Sequence, residues 1–210
     1  MSPKVTEEHR ESKRQEIVEA ALRVFIRQGY LATTMKDVVE ESGLSRGGVY
    51  LYFSSTEEMF RAMVEEIDQA NARQDEELLS AYPTVWEAIA AMFALLRKEL
   101  LRIREGVVPV LIEAFAAEWR KDSFRDLLER RYAEGCVQLE RMLQTGVDRG
   151  EFRPRIPIRT IAKMFSSIQG GIMVDTTQFG AAGTEAPEQI EGYLLSLRYL
   201  IGVREEGDPA

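Results

Sequence analysis

Residues 33–53, TTMKDVVEESGLSRGGVYLYF, read as two short helices joined by a tight turn. Thr34 is placed to cap the first, whose apolar Met35, Val38 and Val39 recur three and four apart, and Gly43 tolerates the left-handed turn that ends it. Ser45 is placed to cap a second helix of Arg46, Gly47, Gly48, Val49 and Tyr50, with Ser42, Gly43 and Leu44 between the two. In a helix-turn-helix of this kind the second helix enters the DNA major groove with its N-terminal residues toward base edges, while the first crosses the backbone.

Adjacent glycines cost a helix about 1 kcal/mol each relative to alanine. Two readings of Gly47 and Gly48 are open. A bare backbone beside Arg46, with the amides of a Ser45-capped helix start, suits close approach to phosphates or base edges. Alternatively, the glycines only let this helix pack closely on the preceding one.

The flanks, RQEIVEAALRVFIRQGYLATT upstream and YFSSTEEMF downstream, extend the pattern. The spacing of Ile17, Ala20, Ala21, Phe25, Gly29, Tyr30, Thr33, Thr34, Val38, Gly43, Ser45, Gly47, Tyr50, Tyr52 and Phe53 resembles the N-terminal domain of the TetR family of transcriptional regulators (TetR/AcrR type), over about Lys13 to Phe60. That resemblance implies a homodimeric, ligand-responsive repressor on a palindromic double-stranded operator, releasing DNA when a small molecule fills its C-terminal body. Arg46, Gly47, Gly48 and Tyr50 are then expected to approach or read base edges, and Thr34, Ser45, Tyr52, Ser54 and Ser55 to hold phosphates. One departure stands out. The family commonly has lysine at the position of Thr56, where it reaches a phosphate, so Ser54, Ser55 or the amides beneath them are expected to substitute.

The chain has 210 residues, enough to bury a sizeable core as one large or two small domains. With 45% hydrophobic and 30% charged residues it reads as a soluble globular chain. No apolar run approaches the roughly 20 residues that span a bilayer, and the start MSPKVTEEHRESKR lacks the apolar core of a secretory signal. A cytoplasmic location and no membrane partner are expected. Cys136 is the only cysteine, which excludes an intrachain disulfide and fits a reducing compartment. The net charge of −8 is unevenly spread: residues 1–55 carry eight Lys/Arg and eight Asp/Glu, so the whole excess lies beyond them. A neutral head binds random DNA weakly and depends on a fitted site.

Taken in order, the chain is all-α, with about nine helices and no stretch alternating long enough for a strand. From about Thr6 a helix buries Ile17, Ala20, Ala21, Val24 and Phe25 and stops at Gly29; Lys4, Arg10, Lys13 and Arg14 form either a phosphate-seeking arm or a solvated basic face. Phe25, Tyr30, Val38, Val39, Leu44, Val49, Tyr50 and Phe53 are expected to form the small core of this three-helix head. Ser55 with Glu58 is a capping box opening a fourth helix toward about Ser80, and Thr84 with Glu87 is another, opening a helix with Trp86, Ile89, Met92, Phe93, Leu96 and Leu100 inward. A helix near Pro109 ends about Trp119. Asp122 or Ser123 is expected to cap a long helix with Phe124, Leu127, Leu128, Tyr132, Cys136, Leu139, Met142, Leu143 and Val147 inward, stopped by Gly150. Another follows Pro157, residues 180–184 form a flexible connection, and Pro187 opens the last helix, which carries Ile190, Tyr193, Leu194, Leu197, Tyr199, Leu200 and Ile201. The domains are expected at 1–60, for DNA binding, and 61–210, for ligand binding and dimerisation.

The last two helices carry more apolar surface than a small body needs, and Gly170 and Gly171 allow a close partner. They either pair with their copies across a two-fold axis or close the monomer core; the resemblance favours the dimer. Candidate effector contacts are Trp86, Phe93, Phe115, Trp119, Tyr132, Cys136, Phe165, Gln169 and Met173, although aromatic and Met stripes at helical spacing are also what a core looks like. Cys136 is either an oxidant sensor or inert core. Catalysis lacks a constellation. His9 is the sole histidine, no phosphate-cradling glycine motif is present, and no cofactor or metal is expected. A helical protein-interaction module without DNA binding, and an unrecognised helical enzyme, are the alternatives.

Overall fold

The computed structural model describes residues 7–204. Every regular element among them is helical: α1 (Glu7–Gln28), α2 (Met35–Ser42), α3 (Arg46–Tyr50), α4 (Thr56–Ala81), α5 (Val85–Leu100), a 3₁₀ turn (Ile103–Glu105), α6 (Val108–Glu118), α7 (Asp122–Asp148), α8 (Ile158–Phe179), α9 (Ala181–Thr184) and α10 (Ala186–Ile201). The chain divides into two compact units, residues 1–69 with 105–120, and residues 70–104 with 121–210. Helix α4 runs unbroken through Arg61, where sequence placed the domain boundary, and the units part after Gln69.

In the first unit α1 buries Ile17, Val18, Ala20, Ala21, Val24 and Phe25, a stripe at helical spacing. Phe25 meets Phe60 edge to face at 6.0 Å, and Tyr30 meets Phe60 at 4.9 Å. Val38, Val49 and Phe53 complete the core beneath the two short helices, but Tyr50, expected there, is 43% exposed. Met59 and Met63 of α4 are also buried in this unit. Burial pushes the Tyr30 phenol up to about 12, helped by Glu118 and Glu57. Lys4 lies outside the described residues. Lys13 pairs with Glu16 at 2.5 Å, and Arg14 lies 3.7 Å from both Glu11 and Glu66, with its guanidinium over the Phe53 ring. These two cations therefore lie along α1, tied to it and to α4.

The second unit is centred on a triangle of rings, Phe93 of α5, Phe165 of α8 and Tyr193 of α10, with centroids 5.5 to 5.9 Å apart. The same unit buries Ile89, Leu96, Leu100, Leu127, Leu139, Leu143, Ile161, Ile190 and Leu197. Three local expectations are corrected. Residues 181–184 are a helical turn, α9, because Thr184 folds back to donate its hydroxyl to the Gly180 carbonyl at 3.0 Å. Helix α7 starts after Lys121 with no side-chain cap; the Asp122 carboxylate that was expected to cap it instead takes the Arg125 guanidinium. Leu128 and Tyr132, placed inward by periodicity, are 40% and 44% exposed. At the end of α7, Gly146 lies against the Phe152 ring, where a Cβ would fall within 2.1 Å, and Phe152 forms an isolated antiparallel bridge with Val203.

Candidate DNA-binding surface

The surface is built on two caps. Thr34 opens α2 with a reciprocal box: its Oγ1 accepts the Asp37 N–H at 3.3 Å, while Asp37 Oδ2 accepts the Thr34 N–H at 2.8 Å and its hydroxyl at 2.7 Å. These bonds from Thr34 hold the Asp37 carboxyl below the usual range. Gly43 closes α2 in the left-handed region at φ +67°, and Ser45 Oγ then accepts the Gly48 N–H at 3.1 Å to open α3. Glu41 fixes α2 on α1 by taking Arg23 and Arg27, each at 2.8 Å, and these two bonds lower its pKa.

On this scaffold Ser45, Arg46, Gly47 and Tyr50 are exposed, and Gly48 and Tyr52 are half-buried. The Arg46 guanidinium lies over the Tyr50 ring, 5.2 Å from its centroid, and has no carboxylate partner among the described residues. Lys36, by contrast, is paired with Glu40 at 3.5 Å. The two readings of the glycines now separate. A Cβ on Gly47 would meet nothing within 4 Å, so packing does not demand its absence, whereas one on Gly48 would lie 3.3 Å from the capping Ser45 Oγ. Gly47 is open space on the exposed side, and Gly48 serves the cap.

Beyond α3, the polar groups expected to replace the missing lysine are partly in use: the Ser54 amide donates to Glu58, whereas the Ser55 hydroxyl only accepts and keeps its own proton to give. Glu58 Oε2 accepts the Ser54 N–H at 2.6 Å, and Ser55 Oγ accepts the Glu58 N–H at 3.2 Å. The box thus closes on Ser54, one residue before the expected Ser55. The Ser54 bonds are the main cause of the low pKa of Glu58. The Thr34 hydroxyl proton is likewise directed at Asp37.

The candidate effector residues do not converge. Phe115 and Trp119 belong to the first unit, where Phe115 packs on Phe60 at 5.8 Å and Trp119 is 52% exposed under the Arg120 guanidinium. In the second unit Phe93 and Phe165 touch, Trp86 is half-buried against Arg198, and Gln169 and Met173 follow Phe165 on α8. Tyr132 is exposed, and Cys136, one turn on, is buried. Sequence reasoning passed over Tyr193 as an effector candidate because its helix was given to the dimer interface or to closing the monomer core. Burial raises its phenol pKa, which marks it as the polar group of the aromatic triangle. A recess of about 430 Å³ lined by Arg73, Glu76, Glu77, Ser80 and Ala81 includes none of the candidates. No group of His, Cys, Asp or Glu suited to a metal occurs among the described residues.

Two capped helices at a fixed turn, with an exposed arginine and bare backbone at the start of the second, define a helix-turn-helix DNA-binding protein with an all-helical second unit. Comparison with known proteins narrows the class. Residues 17–63 match the model for bacterial regulatory proteins of the tetR family, and residues 88–186 match the tetracyclin repressor-like C-terminal domain. The chain is 41% identical to the uncharacterized HTH-type transcriptional regulator YfiR of Bacillus subtilis, over 98% of this chain and all of that one. It is 25% identical to the HTH-type transcriptional repressor ComR of Escherichia coli, over 86% of each. Among solved structures, reduced E. coli NemR superposes with a TM-score of 0.76 at 15% identity, covering 92% of this chain and 100% of that one. The chain belongs to the TetR family, and it is a DNA-binding transcriptional regulator and not an enzyme.

Proposed function

We propose that the protein is a ligand-responsive repressor that works in the cytoplasm as a homodimer on a palindromic operator. The observation that carries the DNA-reading half is Arg46, exposed, free of carboxylate partners among the described residues, and lying over Tyr50 beside the open backbone of Gly47. Arg46 and Tyr50 read base edges, and Gly47 lets the helix come close. Ser45, Tyr52 and Ser55 hold phosphates, while Thr34 and Ser54 act mainly by fixing the starts of α2 and α4. The dimer forms through α8 and α10. Support comes from exposed Met164, Phe179, Leu195 and Tyr199 on these helices, and from Gly170, Gly171 and Gly192, where a Cβ would meet nothing within 4 Å. An effector binds among the inner faces of α5 and α8, near Trp86, Phe93, Phe165, Gln169 and Met173, and shifts α4, whose residues are shared between the units. The name of the relative ComR supports repression rather than activation.

Selection of bound duplexes from a random pool tests this reading. An inverted repeat should be enriched, and its retention should fall steeply with salt as phosphate counterions are released. Failure to retard any duplex at low ionic strength would overturn it.

A further inference from the structure

Residues 29–31 join α1 to the helix-turn-helix, and the group that holds them comes from far along the chain. The Glu113 carboxylate on α6 accepts the Tyr30 N–H at 3.0 Å through Oε2 and the Leu31 N–H at 3.1 Å through Oε1. Gly29 lies in the left-handed region at φ +85°, and a Cβ there would fall 2.6 Å from Oε2. The missing side chain is therefore what lets one carboxylate reach both amides. Phe115, two residues on from Glu113, packs on Phe60, which in turn packs on Tyr30, so α6 meets this turn through a chain of rings as well as through the carboxylate. On the other side, Thr33 Oγ1 donates to the Gly29 carbonyl at 2.6 Å, and the next residue is the Thr34 cap of α2.

We infer that Glu113 is a positioning residue of the DNA-binding surface: by clamping two backbone amides it sets where α2 begins, and so where α3 is presented, without touching DNA itself. The inference lies outside the residues assigned to DNA above, all of which fall between Thr34 and Ser55. A carboxylate accepting two N–H bonds is charge-assisted at both. An amide in its place keeps the shape but offers one oxygen acceptor, and turns its own N–H donors toward the second amide.

Glu113→Gln in the full chain, compared with wild type at 25 °C where circular dichroism shows both folded, gives the test. Binding to the duplex selected from the random pool should weaken about tenfold, with the salt dependence unchanged because no phosphate contact is lost. Amide exchange should quicken at residues 30 and 31 and also through the first turn of α2. Gly29→Ala, which drives a methyl into the carboxylate, should produce the same pair of effects, and the double variant should be less impaired than the product of the two. A lowered Tm with unchanged duplex affinity and unchanged exchange in α2 would show a merely structural contact and overturn the inference. Should Glu113→Gln fail to fold, Glu113→Asp, which keeps the charge but is one methylene too short to span both amides, is read in the same way. If wild type binds no duplex, the proposed function fails, and the exchange measurement still decides the role of Glu113.

Discussion

Arg46 and Gly47 are neighbours whose replacement should impair DNA recognition without lowering stability. Arg46→Ala removes an exposed guanidinium with no carboxylate to release, so the fold should be unaffected. Sequence preference should relax, since a bidentate arginine on guanine carries roughly 1–3 kcal/mol of discrimination; competition between the selected duplex and single-base variants measures it. Gly47→Ala meets open space and should stabilise α3 by up to about 1 kcal/mol, raising Tm slightly, while weakening operator binding through the added methyl. A variant both more stable and equally tight on DNA would show that Gly47 does not face the duplex. At this scale the sequence was informative wherever partners are close in the chain: Ser45 with Gly48, and Thr34 with Asp37. It said nothing of Glu113, because a carboxylate more than eighty residues from the amides it binds leaves no local pattern.

Helix α4 carries Asp75, held by the Gln138 amide of α7 at 2.9 Å. Burial alone pushes its carboxyl up from 3.8 to about 6. A carboxyl with a raised folded pKa binds its proton more readily in the folded than in the unfolded chain, so its contribution to stability is present at pH below about 4 and is lost as pH rises through about 6. Asp75→Asn keeps an acceptor for Gln138 and removes the ionisation. It should raise stability at pH 7 by of order 1 kcal/mol after solvent screening, and flatten the dependence of Tm on pH between 4 and 6. Asp37, Glu41 and Glu58 act in the opposite sense, because their lowered pKa values give stability that is lost only as pH falls below the usual carboxylate range. Element boundaries were largely legible, since Gly29, Gly43, Gly150 and the two threonine boxes punctuate the chain. Helix α9 was not. A single turn of Ala, Gly and Thr has no periodicity, and only the Thr184 contacts reveal it.

For the molecule as a whole, all-helical architecture and the reading head were legible from spacing, whereas the membership of the first unit was not. Nothing in the composition of residues 105–120 says that they pack with residues 1–69 rather than with their chain neighbours. Periodicity also left open which way Tyr199 and its neighbours face, because a helix that is apolar on two faces looks the same in sequence whether the second face meets a core or a partner. If α8 and α10 form the dimer interface, Leu195→Glu at a 70% exposed position should leave the subunit folded, convert dimer to monomer in sedimentation at micromolar concentration, and lower operator affinity by at least an order of magnitude through loss of the second half-site. A dimer that survives the substitution would place the interface elsewhere.

The chain has two tryptophans, and the fold puts one in each unit: Trp119 beside Arg120 in the first, Trp86 beside Arg198 in the second. Replacing either by phenylalanine leaves a single indole, excited apart from the tyrosines at longer wavelength, confined to one half. Melting curves of the two single-indole proteins, recorded side by side, would then reveal whether the halves come apart together or in succession.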